Sequence, residues 1–350
     1  MTISAFDHPL LSAFLGDEEA ARHFSVEAEI EAMLAFESAL AEAEAENGII
    51  TRDAAVAIGV VLASFRPDTT LLRAAAAKDG VIVPELVRQL RVAVGEPHGD
   101  KVHFGATSQD VIDTGLVLRL KSVVDHLGLL LTETVLRLTS LEERFGGRAL
   151  TGMTRMQPAI PIQVADRVNA WRGPLRRHRE RLSEQSGRLL VVQFGGAAGT
   201  LEKLGDKGPA VRAALAAELG LGDAPQWHSQ RDALADFAGW LSLLTGSLGK
   251  FGQDIALMAQ GGADITLSGG GGSSAMPHKQ NPVKAEALVA LARFNATQLS
   301  GMHQALVHEQ ERSGAAWTLE WLLLPQMVVA TAASLRLAAE LAAQIESLGH

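Results

Sequence analysis

The sequence has no cysteine and no tyrosine in 350 residues. The first absence excludes disulfides, thiolate metal sites and thiol nucleophiles. The second removes one side chain that can serve as a general base. A basic balance is lacking too: 31 Lys and Arg stand against 40 Asp and Glu, a formal charge of −9. That is opposite to the basic face of a nucleic-acid binder. An anionic ligand must therefore be met by local arginine and lysine, against the field of the whole chain. The opening "MTISAFDHPLL" lacks a signal-peptide pattern, and no uninterrupted apolar run approaches membrane-span length. The expectation is a soluble cytoplasmic protein with neither a membrane nor a nucleic-acid partner. Alternating β-branched patterns are scarce, so sheets are not expected to carry the fold.

What is present is alanine, leucine and glutamate at helical spacing. With 47% hydrophobic and 20% charged side chains, the chain is long enough for about two domains and a large core. "SVEAEIEAMLAFESALAEAEAENG" offers Ser25 as N-cap, acids in the first turn and Gly48 as a stop. Its Ile30, Met33, Leu34 and Leu40 share one face. Residues 51–100 read as shorter helical pieces broken at Pro67, Gly80, Pro84 and Pro97. From residue 107, in "TSQDVIDTGLVLRLKSVVDHLGLLLTETVLRLTSLEERFGG", apolar positions recur at helical spacing from Val111 through Leu141, within a rod of about 38 residues and roughly 57 Å. Further long helices are expected at about 161–190, 229–261, 282–312 and 318–348, with kinks at Pro174 and Pro325. The expected fold class is all-α. An elongated long-helix bundle spans residues 106–350 behind a small N-terminal helical domain over residues 1–105.

Polar clusters fall at the ends of these rods. "HFGATSQD" (103–110) opens the first, "TRMQPAIP" (154–161) precedes the next, and "GGGGSSAMPHKQNP" (269–282) follows the helix near 229–261. If successive helices run antiparallel, the first cluster lies at one end of the bundle. The other two then lie at the opposite end, about 50 Å or more away. One chain could hardly bring all three together, but neighbouring antiparallel chains could. Either the clusters are unrelated or the protein is an oligomer with shared sites, and the second reading is preferred.

The glycine-rich loop does not fit a phosphate cradle, because Lys279 lies between His278 and Gln280 rather than between Gly and Ser or Thr. It does not fit a Ser-x-x-Lys nucleophile either. It is then either a flexible linker or a mobile lid that carries Ser273 and Ser274, with Lys279 and Asn281 ahead of a helix start. An alcohol becomes a base only where amides, a helix N-terminus or a lysine stabilise its alkoxide. Such a base suits proton exchange on carbon beside a carboxylate, where the doubly negative aci-carboxylate needs the same donors. No metal set is apparent among the scattered histidines.

The segment "GSSAMPHKQNP", long and highly specific, resembles the signature of the fumarase/aspartase superfamily, and "HFGATSQDVIDT" and "TRMQPAIP" look like its other two active-site segments, in the same order. The likeness covers most of the chain, from about Ser25 to Pro325. "VVQFGGAAGTL", "WHSQRDALADF" and "HEQERSGAAWTLEWLLLP" look most like its lactone-forming branch, which acts on a tricarboxylate. The resemblance implies a cofactor-free, metal-free enzyme and a homotetramer with sites shared between chains. It implies Ser273 as the acid or base on carbon, with Lys279 and Asn281 holding the carboxylate whose charge grows. Thr107 and Ser108 would bind a second carboxylate, Gln157 would assist, and Arg231 would lie near the substrate anion. His103, Ser274 and Met276 fall within the same matched segments as further substrate contacts, although a structural histidine and a packing methionine are the alternatives.

Three departures sharpen the implication. Arg155 stands where many of these lyases have histidine, and an arginine clamps a carboxylate rather than donating a proton. "AKDGVIVPELV" (77–87) lacks the histidine found there in the branch that releases an amine. An internal carboxylate leaving group needs neither acid. The chain also ends where relatives usually continue into a small helical domain. The alternatives are a lyase acting on a succinyl adduct with release of fumarate, and a non-catalytic structural relative. "WRGPLRRHRER" (171–181) reads as a solvated or intersubunit basic face. His308, Glu309 and Arg312 read as an ion-pair network near the site.

Overall fold

The computed structural model describes residues 4–272, 275–276 and 280–350. Two short helices, α1 (Ser12–Leu15) and α2 (Glu18–Arg22), lead into α3 (Val26–Glu46), α4 (Arg52–Leu62), α5 (Thr69–Asp79) and α6 (Val83–Val94). Local chemistry sets these starts. The Ser25 hydroxyl accepts from the Ala28 amide at 3.2 Å, Thr51 from Ala54 at 3.2 Å, and Asp68 from Thr70 at 2.9 Å. Pro84 does not break a helix as expected. It sits in the first turn of α6, where a missing N–H costs nothing.

The bundle is built from α7 (Ser108–Phe145), α8 (Val164–Leu189), α9 (Gly208–Leu219), α10 (Asp232–Gly261), α11 (Val283–Gln304) and α12 (Gly314–Ala343). Helix α7 has 38 residues, matching the rod expected from its periodicity. Pro174 and Pro325 lie inside α8 and α12. The all-helical expectation needs one amendment, because two small antiparallel sheets are present. Strands β1 (Ala149–Thr154) and β2 (Gln157–Gln163) form a hairpin, and β3 (Ile265–Leu267) pairs with β4 (Ile345–Leu348). "TRMQPAIP" therefore forms the tip and second strand of a hairpin rather than a helix start. β-Branched and proline-rich runs with extended propensity explain it.

One hydrophobic core runs the length of the bundle. It includes Leu120, Leu127 and Leu131 of α7, Trp171 of α8, Phe237 and Leu244 of α10, Leu288 of α11, and Met327 and Leu335 of α12. Each is at most 2% exposed, and each such side chain contributes about 1.5–3 kcal/mol on burial. Helices α10 and α11 approach closely because Gly252 has no side chain; a Cβ there would meet the Ala285 carbonyl at 2.6 Å. A second core gathers Met33, Phe36 and Leu40 of α3, Leu86 and Leu90 of α6, Val111 of α7, and Phe194, Val211 and Leu215. It ties the N-terminal helices to the first turn of α7.

Helix α12 holds no uninterrupted apolar run of membrane-span length, yet it is the most apolar of the long helices. Its 30 residues include a window of mean hydropathy 1.5, so by length and composition it is long and apolar enough to cross a membrane. Of that window 67% is buried inside the chain, which makes it a core helix of the bundle.

Candidate active site

The first turns of α7 are held by an unusual number of buried polar groups. Asp110, fully buried, accepts from the Gly195 and Gly196 amides at 2.9 Å each, from Gln193 Nε2 at 3.1 Å, and from the Thr107 amide at 3.0 Å. His228 Nε2 stands 2.8 Å from the same carboxylate. One turn on, Asp113 accepts from both Arg231 Nη1 at 2.6 Å and Nη2 at 3.1 Å, from Trp317 Nε1 at 3.0 Å and from Gln109 Nε2 at 3.1 Å. Hydrogen bonds and charge partners of this kind offset the cost of burying a carboxylate. The result is a rigid seat for Thr107 and Ser108, half-buried at the N-terminus of a long helix, where partial positive charge favours an anion.

Beneath Ser108 the same face of α7 carries Ile112 and Leu116, at i+4 and i+8. Both line a cavity of about 320 Å³, together with Val81, Ile82, Arg119 and Trp321. His103, four residues before Thr107, has φ of 63° and feels the charge of Asp110 in the first turn of α7. Its Nδ1 is 2.6 Å from Glu37 Oε1. Burial pulls the His103 pKa down, but the charge and hydrogen bond of Glu37, aided by Asp110, outweigh it and leave it above the ordinary value.

The resemblance implies that Arg231 lies near the substrate anion. In the fold the residue is 2% exposed and gripped by two carboxylates, Asp113 and Glu320, with Glu320 Oε1 2.9 Å from Nε. Its role in this geometry is to brace the seat. The cation that does face outward here is Arg312, which was read as part of an ion-pair network. It is exposed and donates from Nε to Gln109 Oε1 at 2.9 Å and from Nη2 to the Ala197 carbonyl at 3.1 Å. Both partners are neutral, and among the described residues Arg312 makes no ion pair. No local pattern marks this, since Gln109 is 203 positions away.

The remaining candidates lie at the other end. Arg155 and Gln157 are exposed at the tip of the β1–β2 hairpin, beyond the C-terminal end of α7. Arg155 and Met156 form the two-residue turn with φ of 47° and 66°, values that glycine or asparagine usually supplies. Arg155 lines a cavity of about 750 Å³ with Met156, Arg167, Lys250, Asp254 and Gln260. Gln260 also borders a cavity of about 350 Å³ that Asn281 and Pro282 line. Arg155 and Asn281 thus flank the last turns of α10. The loop's neck is closed by paired hydrogen bonds, Gly271 N to Asn281 O at 2.9 Å and Asn281 N to Gly271 O at 2.8 Å. A Cβ on Gly271 would lie 2.6 Å from Val283 Cγ1, so only glycine fits the neck. Met276 is 42% exposed. Ser273, Ser274 and Lys279 lie outside the described residues. Since α10 begins beside Asp113 and its 30 residues span about 45 Å, the two groups of candidates stand far apart in one chain. Among the described residues no group of three or more metal-ligating side chains is assembled.

Long helices packed into one bundle, with candidate polar segments at both ends, define the class of fold. Residues 14–295 match the model of a lyase family. The chain belongs to this fumarase/aspartase family of lyases. It is 41% identical to a 3-carboxy-cis,cis-muconate cycloisomerase of Pseudomonas aeruginosa, over 89% of this chain and 70% of that enzyme. It is 34% identical to an N-acetyl-S-(2-succino)cysteine lyase of Enterococcus italicus, over 89% of this chain and 70% of that one. The crystal structure of the 3-carboxy-cis,cis-muconate lactonizing enzyme from Pseudomonas putida superposes with a TM-score of 0.90 at 38% identity, covering 97% of this chain and 77% of that one.

Proposed function

We propose that the protein is a cofactor-free cycloisomerase that converts 3-carboxy-cis,cis-muconate to its carboxymuconolactone. The observation that carries this reading is the 41% identity to an enzyme of that activity over most of both chains. In the reaction a carboxylate oxygen of the substrate adds across the distal double bond and forms the lactone C–O bond. The electron pair moves to the carbon beside another carboxylate, giving an aci-carboxylate. The Ser273 hydroxyl delivers a proton to that carbon, and the reverse reaction is a β-elimination. The alkoxide left on Ser273 takes its proton back from solvent, so the tricarboxylate gains one proton on becoming the lactone and the two acid forms are isomers.

Lys279 and Asn281 stabilise the growing charge. Thr107, Ser108, His103 and Arg312 hold one carboxylate at the α7 seat, while Arg155 and Gln157 hold another. Ser274 and Met276 complete the loop's contacts. Because these groups sit at opposite tips of one chain, each site is assembled from several copies, in a homotetramer. The proposed N-terminal unit, residues 1–105, braces the seat through α3.

The test is the diene absorbance of the muconate. Purified protein bleaches it without added metal or nucleotide, and Ser273→Ala lowers kcat by at least 100-fold, roughly the worth of general acid–base catalysis, with KM little changed. A fully active Ser273→Ala variant overturns the assignment. The likeness to the succinylcysteine lyase favours a second reading, elimination from a succinyl adduct. Release of fumarate from such an adduct, without bleaching of the muconate, selects it.

A further inference from the structure

Helix α3 carries two buried carboxylates among apolar neighbours, Glu37 at 2% exposure and Glu44 at 1%. Glu37 Oε1 meets His103 Nδ1 at 2.6 Å, whereas Glu37 Oε2 and both oxygens of Glu44 have no hydrogen-bond partner among the described residues. Nothing in the reaction outlined above uses either acid. An apolar core would be cheaper to build with leucine at both positions, so a reason is needed for their presence.

The geometry supplies one for Glu37. His103 is held in a left-handed backbone conformation that histidine tolerates but does not favour. Its ring turns Nδ1 inward to Glu37 and leaves Nε2 with no partner among the described residues, with 13% of the side chain exposed. A carboxylate on one ring nitrogen fixes the tautomer and the direction of the other. The charged groups facing the ring are Glu37 from α3, Asp110 from α7 and Arg91 from α6. Two carboxylates against one guanidinium favour the imidazolium. Glu44 lies two turns along α3, and the Glu37 charge adds to the burial that raises its own pKa.

We propose that Glu37 is a positioning residue that holds His103 as an imidazolium with Nε2–H aimed at the substrate carboxylate seated on Thr107 and Ser108. This rests on the proposed cycloisomerase reading for its substrate, but the state of His103 is open to measurement without it.

The experiment titrates the His103 ring by nitrogen-15 NMR in the full-length protein, for the parent and for Glu37→Gln. The Gln keeps the shape and a hydrogen bond but removes the charge. The kcat/KM of muconate bleaching is followed against pH in parallel. The expected result is that His103 titrates at least one pH unit lower in Glu37→Gln. The alkaline fall in kcat/KM then shifts down by the same amount, through KM rather than kcat. Glu37→Asp should restore most of the shift. If Glu37→Gln does not fold, His103→Asn, compatible with the left-handed backbone, serves instead: it removes that alkaline limb and raises KM. An unchanged His103 titration in Glu37→Gln overturns the proposal. So does a shifted titration with an unmoved rate profile, or a His103→Asn enzyme with the parent's profile. If the parent protein does not bleach the muconate at all, the substrate reading falls, while the titration still decides whether Glu37 sets the charge of His103.

Discussion

Glu44 shows how far a single side chain can be from its ordinary behaviour. Burial, with the Glu37 charge adding to it, pushes its pKa up from 4.5 to about 9. The folded chain therefore keeps a proton that the unfolded chain releases above its ordinary value. Folding takes up this proton between those two values, so the contribution of Glu44 to stability is full at acid pH. It declines as pH rises, and is lost by the time pH passes about 9. Glu44→Gln removes the charged form. Its denaturant midpoint should exceed that of the parent at pH 8.5 and converge with it near pH 5. A gap that does not widen with pH would contradict the buried, neutral acid. The same scale shows what the sequence could not disclose. "SQRD" marks Arg231 as special, but its partners Asp113 and Glu320 lie 118 and 89 positions away. Only folding reveals that it braces the seat while Arg312 faces outward. By contrast, Thr107 and Ser108 at a helix start could be read directly, because N-terminal preferences are local.

At the scale of elements, the long helices were legible because their apolar spacing extends over many turns. Helix α7 begins within a residue of its expected start and runs one turn past Leu141 to Phe145. The β1–β2 hairpin was not legible. Its turn, Arg155-Met156, lacks the Asn-Gly or Asp-Gly signature, and short apolar runs with proline do not separate strand from coil. The turn holds Met156 at φ of 66°, a conformation that costs about 1–2 kcal/mol for an ordinary L residue. A β-branched side chain fares worst there. Met156→Val should therefore be about 1–2 kcal/mol less stable than Met156→Gly, as read by urea denaturation. Equal stabilities would mean that the hairpin tip is not held in this turn. A residue kept at such cost on an exposed tip suits a contact made outside the chain.

The whole molecule leaves much apolar surface uncovered. Met156 and Ile160 on the hairpin are each 70% exposed, and Leu129 and Leu136 on α7 are 72% and 62% exposed. Soluble monomers seldom display such side chains along one rod. Their position on the bundle and its hairpin supports the proposed assembly, in which the α7 seat of one copy meets the glycine-rich loop of another. Mixing two inactive variants tests this most directly. Ser273→Ala spoils the loop end of a chain and Arg312→Ala spoils the seat end. Unfolded together in equal amounts and refolded, they should regain about a quarter of the parent's muconate bleaching, since random assembly leaves both halves intact in that share of sites. A mixture no more active than its components, or an active protein that sediments as a single chain, would contradict the account.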